Sequence, residues 1–117
     1  MVVRLTLPWP PSLNTLYRHV GPRVLVSRAG RLFRKKVKAI ALENGIIPFS
    51  GAVSLTVDLY PPDRRRRDID NAGGKAILDA LQEAGLFADD AQVKHLDIYM
   101  REPMPPAGTC RISAEDM

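Results

Sequence analysis

Apolar and polar residues alternate along this chain with two distinct periods. Residues 2–7, VVRLTL, set Val3, Leu5 and Leu7 against Arg4 and Thr6, the period-two pattern of a half-buried strand. Proline ends it in PWPPS. The next stretch, LNTLYRHVGPRVLVS, holds a Gly-Pro turn between two short extended runs and predicts a hairpin or a long ordered loop. The period then changes. Ser27 is placed to cap a helix over about 28–44 that Gly45 closes, with Phe33, Val37, Ile40 and Ala41 on one face. Period two returns in AVSLTVDLY over 52–60, where Val53, Leu55, Val57 and Leu59 face in. A second helix is predicted over 74–84, with Ile77, Ala80, Leu81 and Ala84 inward and Gly85 past its end. Strands near 93–100 (Leu96, Ile98 and Met100 on one face) and 109–113 (Cys110, Ile112) complete the chain. The order β, loop, α, β, α, β, β predicts an α+β fold: one two-layer domain spanning 1–117, with a mixed sheet of about four or more strands against two helices.

Composition agrees with one modest core. The chain has 117 residues, of which 45% are hydrophobic and 26% charged, which argues against wholesale disorder. No apolar run approaches the roughly 18–20 residues a membrane span needs. The start, MVVRLTLPWPP, has no long apolar stretch and no cleavage-like small residues, so no signal peptide is expected. A lone cysteine, Cys110, excludes an internal disulfide framework and a cysteine-based zinc cluster. A reducing, cytoplasmic location is expected.

Charge adds what periodicity does not. Net charge is +4, but the first acid is Glu43, and nine basic residues precede it: Arg4, Arg18, Arg23, Arg28, Arg31, Arg34, Lys35, Lys36 and Lys38. Arg28, Arg31, Arg34, Lys35 and Lys38 line the polar side of the first helix with no acid to form i,i+4 pairs. Such a stripe attracts a polyanion, nucleic acid first, although a solvated face is the simpler reading of any one helix.

The densest charge lies in DRRRRDIDN, Asp63 to Asn71. Asp68 and Asp70 share a face if the segment is extended. Asp89 and Asp90 form a second acidic pair after the second helix. If the strands at 52–60 and 93–100 are neighbours, the two acidic loops can approach, and converging carboxylates are relieved by a hard cation such as Mg²⁺. Arg64, Arg65, Arg66 and Arg67 beside them are forked donors for phosphate oxygens. Lys75, opening the second helix, can stabilise developing negative charge. The competing reading pairs Asp68 and Asp70 with Arg64–Arg67 in a surface loop, and makes Asp89–Asp90 a simple turn. His19 and His95 lie near no nucleophile motif, Cys110 reads as a core residue, and no Gly-rich nucleotide cradle is present, so no nucleotide cofactor is expected.

LPWPPSLNTLYRH, DRRRRDIDN, KAILDAL and DDAQV, in that order, resemble the RusA family of Holliday junction resolvases. The resemblance implies a homodimeric endodeoxyribonuclease of DNA recombination and repair that nicks four-way junctions in symmetric pairs with Mg²⁺ or Mn²⁺. It implies a metal-holding acidic site at Asp68, Asp70 and Asp90, with Asp89 only a neighbour, and a functional lysine at Lys75. The arginine run, and Arg28, Arg31, Lys35 and Lys38 on the first helix, would then hold DNA. Trp9, the proline-rich segment and an edge strand are plausible dimer contacts. The family usually places two residues between the Asn and the Lys, whereas NAGGK has three. Looping out at Gly73–Gly74 would absorb the extra residue. A nuclease for flaps or other branched DNA, a junction-binding protein impaired in cleavage, and a small binding domain with a structural metal stay open as alternatives.

Overall fold

The computed structural model describes residues 1–117. Four strands form one mixed sheet in the order β1–β6–β4–β5: β1 is Val2–Pro8, β4 Val53–Tyr60, β5 Val93–Met100 and β6 Thr109–Asp116. β6 is antiparallel to both β1 and β4, while β4 and β5 run parallel. A parallel pair needs a crossover, and the helix α3, Gly74–Glu83, supplies it. The α+β layering expected from the sequence is present, with about the same element boundaries.

The stretch after the prolines folds as a single helical turn, α1 (Leu13–Leu16), and a hairpin of β2 (Tyr17–Val20) and β3 (Arg23–Val26). Ser27 joins this hairpin to α2, Arg28–Glu43. Its hydroxyl accepts from the Gly30 amide at 3.1 Å and donates to the Thr15 carbonyl at 2.6 Å, so one side chain caps α2 and ties it to α1.

Both long helices pack on one face of the sheet and on each other. The core draws Leu5 and Leu7 from β1, Val53, Leu55, Val57 and Leu59 from β4, and Cys110, Ile112 and Ala114 from β6. Phe33 and Val37 of α2 and Ile77, Ala80 and Leu81 of α3 close it. Each fully buried large side chain removes enough apolar surface to contribute roughly 1.5–3 kcal/mol. β5 departs from this pattern. Leu96, Ile98 and Met100 share the inner face with their partners Leu55, Val57 and Leu59, but they lie at the sheet edge, where Leu96 stays 38% exposed. The outer sheet face is polar and is knit by the Arg101–Asp58 ion pair at 2.6 Å. No helix is long and apolar enough to cross a membrane.

Candidate functional site

The site gathers around the segment between β4 and α3. Asp63 organises it. Its carboxylate takes Arg67 at 2.9 Å and Arg65 at 3.1 Å, and it also accepts the Arg65 amide at 2.9 Å. Arg67 donates in addition to the Asp63 and Arg65 carbonyls, each at 3.1 Å, and its guanidinium lies over Trp9 at 5.5 Å from the ring centre. These contacts, those from Arg67 first, hold the Asp63 carboxyl well below the usual carboxylate range. Arg64 and Arg66 are exposed and pair with no acid.

The surface-loop reading of this segment is therefore half right. Two arginines are neutralised within the loop, but by Asp63 and not by Asp68 or Asp70. Asp68 precedes a 3₁₀ turn, Ile69–Asn71, without capping it by side chain. Asp68 and Asp70 are exposed, and neither carboxylate has a hydrogen-bond or ion-pair partner.

The second acidic pair divides in the same way. Asp89 is used by its own turn: it accepts from the Ala91 amide at 2.8 Å and forms a capping box with Gln92. The Gln92 amide donates to the Phe49 and Gly51 carbonyls at 3.0 and 2.9 Å, pinning the turn to the start of β4. Asp90 gives only its backbone amide, to Gln82 at 3.2 Å, and its carboxylate is exposed and unpartnered.

The expectation that the two acidic loops meet because β4 and β5 are neighbours is not met by the strands themselves. β4 and β5 are neighbours, but a parallel register pairs Leu59 with Met100 and Val53 with Val93. The segment leaving β4 and the segment entering β5 thus start from opposite ends of the sheet. The loop after β4 turns back so that its 69–71 turn packs against β5, while the 90–92 turn packs against α3. No three carboxylates, imidazoles or thiols stand together in a group that would hold a metal ion. Asp68, Asp70 and Asp90 still supply exposed, unpaired oxygen donors, the kind a hard divalent cation takes while keeping part of its water shell.

Lys75 connects the two regions. Its ammonium bonds Asp79 at 3.2 Å, one turn along α3, and the Asp79 contact raises its pKa, with Tyr17 and Asp90 adding smaller contributions. Asp79 also takes Arg34 of α2 at 3.5 Å, and Arg34 reaches Glu83 at 3.6 Å. Arg34 is thus withdrawn from the cationic stripe, whereas Arg28, Arg31, Lys35 and Lys38 remain exposed without acidic partners. Asp79 and Asp63 escaped the reading of the sequence. The i,i+4 spacing of Lys75 and Asp79 and the position of Asp63 two residues before Arg65 were their signals.

The NAGGK segment turns into α3 at its two glycines. Gly73 adopts φ +121° and α3 begins at Gly74, so Lys75 sits in the first turn of a regular helix. Comparison with known proteins bears on this arrangement. The family model described as Endodeoxyribonuclease RusA matches residues 8–110. The chain belongs to the RusA family. It is 39% identical over 115 residues to the crossover junction endodeoxyribonuclease RusA of Escherichia coli K12, covering 97% of this chain and 93% of that protein. The similarly named proteins of Shigella sonnei and Enterobacteria phage 82 are each 38% identical, again over 97% and 93% of the two lengths. The RusA match takes in Trp9, the arginine run, α3 and the Asp90 turn.

Proposed function

We propose that this chain is a crossover junction endodeoxyribonuclease that cuts four-way DNA with a divalent cation, Mg²⁺ or Mn²⁺, which would draw Asp68, Asp70 and Asp90 together around it. The observation that carries this reading is the division of labour among the acids. Asp63, Asp79 and Asp89 are occupied by neighbours within the chain, while Asp68, Asp70 and Asp90 are left exposed and unpaired. Bound there, the ion would polarise a phosphodiester and lower the pKa of attacking water.

The protein's own groups do the rest. Arg66 has a free guanidinium fork for phosphate oxygens in the cleft that Asp68 also lines, and Arg64 has another on the neighbouring surface. Lys75, with its pKa raised by Asp79, stays charged and serves as a fixed electrostatic partner for a developing oxyanion and not as a proton donor. Arg28, Arg31, Lys35 and Lys38 offer a duplex arm a positive face. A two-fold dimer would present two such sites to the two-fold symmetry of a junction.

The test is nicking of a labelled synthetic four-way junction with Mg²⁺, against a linear duplex of the same sequence, with Asp70→Asn alongside. Paired nicks in the junction alone, abolished by Asp70→Asn, support the reading. Tight junction binding without nicks under Mg²⁺ or Mn²⁺ refutes cleavage and leaves a junction-binding protein. Equal cutting of flaps and junctions would assign a broader nuclease.

A further inference from the structure

We infer that the cleft between Trp9 and the arginine run is a nucleobase subsite, which takes an unstacked base of the bound strand next to the phosphate at Asp68. This inference rests on the nuclease reading and names a contact that reading lacks. The cleft has a volume of about 340 Å³ and is lined by residues that include Trp9, Arg66, Arg67, Asp68 and Asn71. That volume is at the lower end of ligand pockets, suited to one small planar group with its phosphate.

Three properties select a base. The indole and the Arg67 guanidinium both line the cleft, and both are planar surfaces on which the π-face of a base stacks. Arg67 is fixed by Asp63 and two carbonyls, so the surface is formed before any ligand arrives. Asn71 also lines the cleft; its amide oxygen is enclosed, but its amide nitrogen makes no hydrogen bond within the chain and is not shut away from solvent. A free amide N–H is a donor to acceptors on base edges. Arg66, exposed and unpaired, is placed to take the phosphate of the same nucleotide. A duplex interior keeps its bases stacked and offers none to this cleft, whereas the exchange point of a junction can release one.

Trp9 is the only tryptophan of the chain, so its emission reports the cleft directly. The measurement is fluorescence of the full chain in EDTA, titrated with a short single-stranded oligonucleotide and, separately, with the same oligonucleotide made abasic at every position. The base-bearing strand is expected to quench Trp9, and the abasic strand to leave it unchanged while still binding by anisotropy. Trp9→Ala should weaken the base-bearing strand by roughly 5- to 100-fold, the range one base–aromatic stack supports. Trp9→Phe should recover most of that affinity. Since Trp9 also packs on the core, the abasic comparison on the unaltered protein guards against a misfolded variant. Equal quenching by both strands, or none from either, overturns the subsite. Emission that changes with protein concentration but not with oligonucleotide overturns it too, and assigns the cleft to a second copy of the chain. Quenching by bases without junction nicking would leave the subsite and sink the resolvase reading; nicking without quenching would do the reverse.

Discussion

Gly73 lies against Pro10 so closely that a Cβ built on it would come within 2.4 Å of the Pro10 Cγ and 2.8 Å of its Cβ. The contact joins the proline-rich segment before α1 to the turn before α3, two segments far apart in the chain. It seats the proline-rich segment, and Trp9 with it, against the turn that carries Asp68 and Asp70 into α3. Glycine is required twice over, by the φ of +121° and by the lack of space. Gly73→Ala is therefore expected to destabilise the fold by about 2–4 kcal/mol, combining backbone strain with overpacking against a buried ring. Gly74→Ala is the control: its nearest neighbour is the flexible tip of Ile98 at 3.2 Å, and alanine favours a helix start. It should shift stability by less than about 1 kcal/mol. Urea unfolding of both variants measures the difference; equal losses would show that the Pro10 contact does not matter.

The same pair shows how far the sequence could be read. The strand read over 52–60, the part of β6 read over 109–113 and both long helices are legible because one face of each is apolar at a fixed period, whereas the end of β6 to Asp116 is not. The hairpin at 17–26 is ambiguous in the sequence because its two strands are mostly exposed and carry no alternation that selects a register. The acidic residues and Lys75 were legible as candidates, since their types and spacing are local. Their division into occupied and free carboxylates was not. It depends on Asp63 reaching Arg67, on Asp79 reaching Arg34 of another helix, and on the parallel register of β4 and β5, all of which are tertiary.

Asp79 should act on Lys75 through position and charge. The pair raises the lysine pKa above its ordinary value, so its stabilising contribution is fully present below the ordinary lysine pKa and fades as pH rises through the raised one. Asp79→Asn should bring Lys75 back toward an ordinary lysine, followed by NMR titration of its side chain. On the nuclease reading, the freed ammonium is misplaced and junction nicking falls roughly 10- to 100-fold, with junction affinity little changed. An unaltered lysine titration in Asp79→Asn would break the link.

The exposed cations of α2 predict a salt dependence. Neutralising one phosphate contact lowers the slope of log K against log salt by about 0.9. Lys35→Ala and Arg31→Ala should each reduce that slope by nearly this amount for junction DNA, measured by anisotropy between low and physiological salt. Arg34→Ala should not, because Arg34 is held by Asp79 and Glu83 and faces α3. A slope unchanged by Lys35→Ala and Arg31→Ala would place the duplex arm elsewhere.

Cys110 offers a probe of the core that is independent of DNA. It is buried in β6, on the inner face beside Leu7 and Leu59. Burial, with a smaller contribution from the Asp58 charge, pushes its thiol pKa up to about 12. Thiolate is the reactive form, so at pH 8 the native thiol should resist disulfide exchange reagents, while the unfolded chain, with a thiol near 8.5, reacts at once. The labelling rate should then follow opening of the sheet and rise in Gly73→Ala in step with its lost stability. Rapid labelling of the native protein, at a rate indifferent to urea below the unfolding transition, would mean that β6 is not the closed centre of the sheet that its register with β1 and β4 describes.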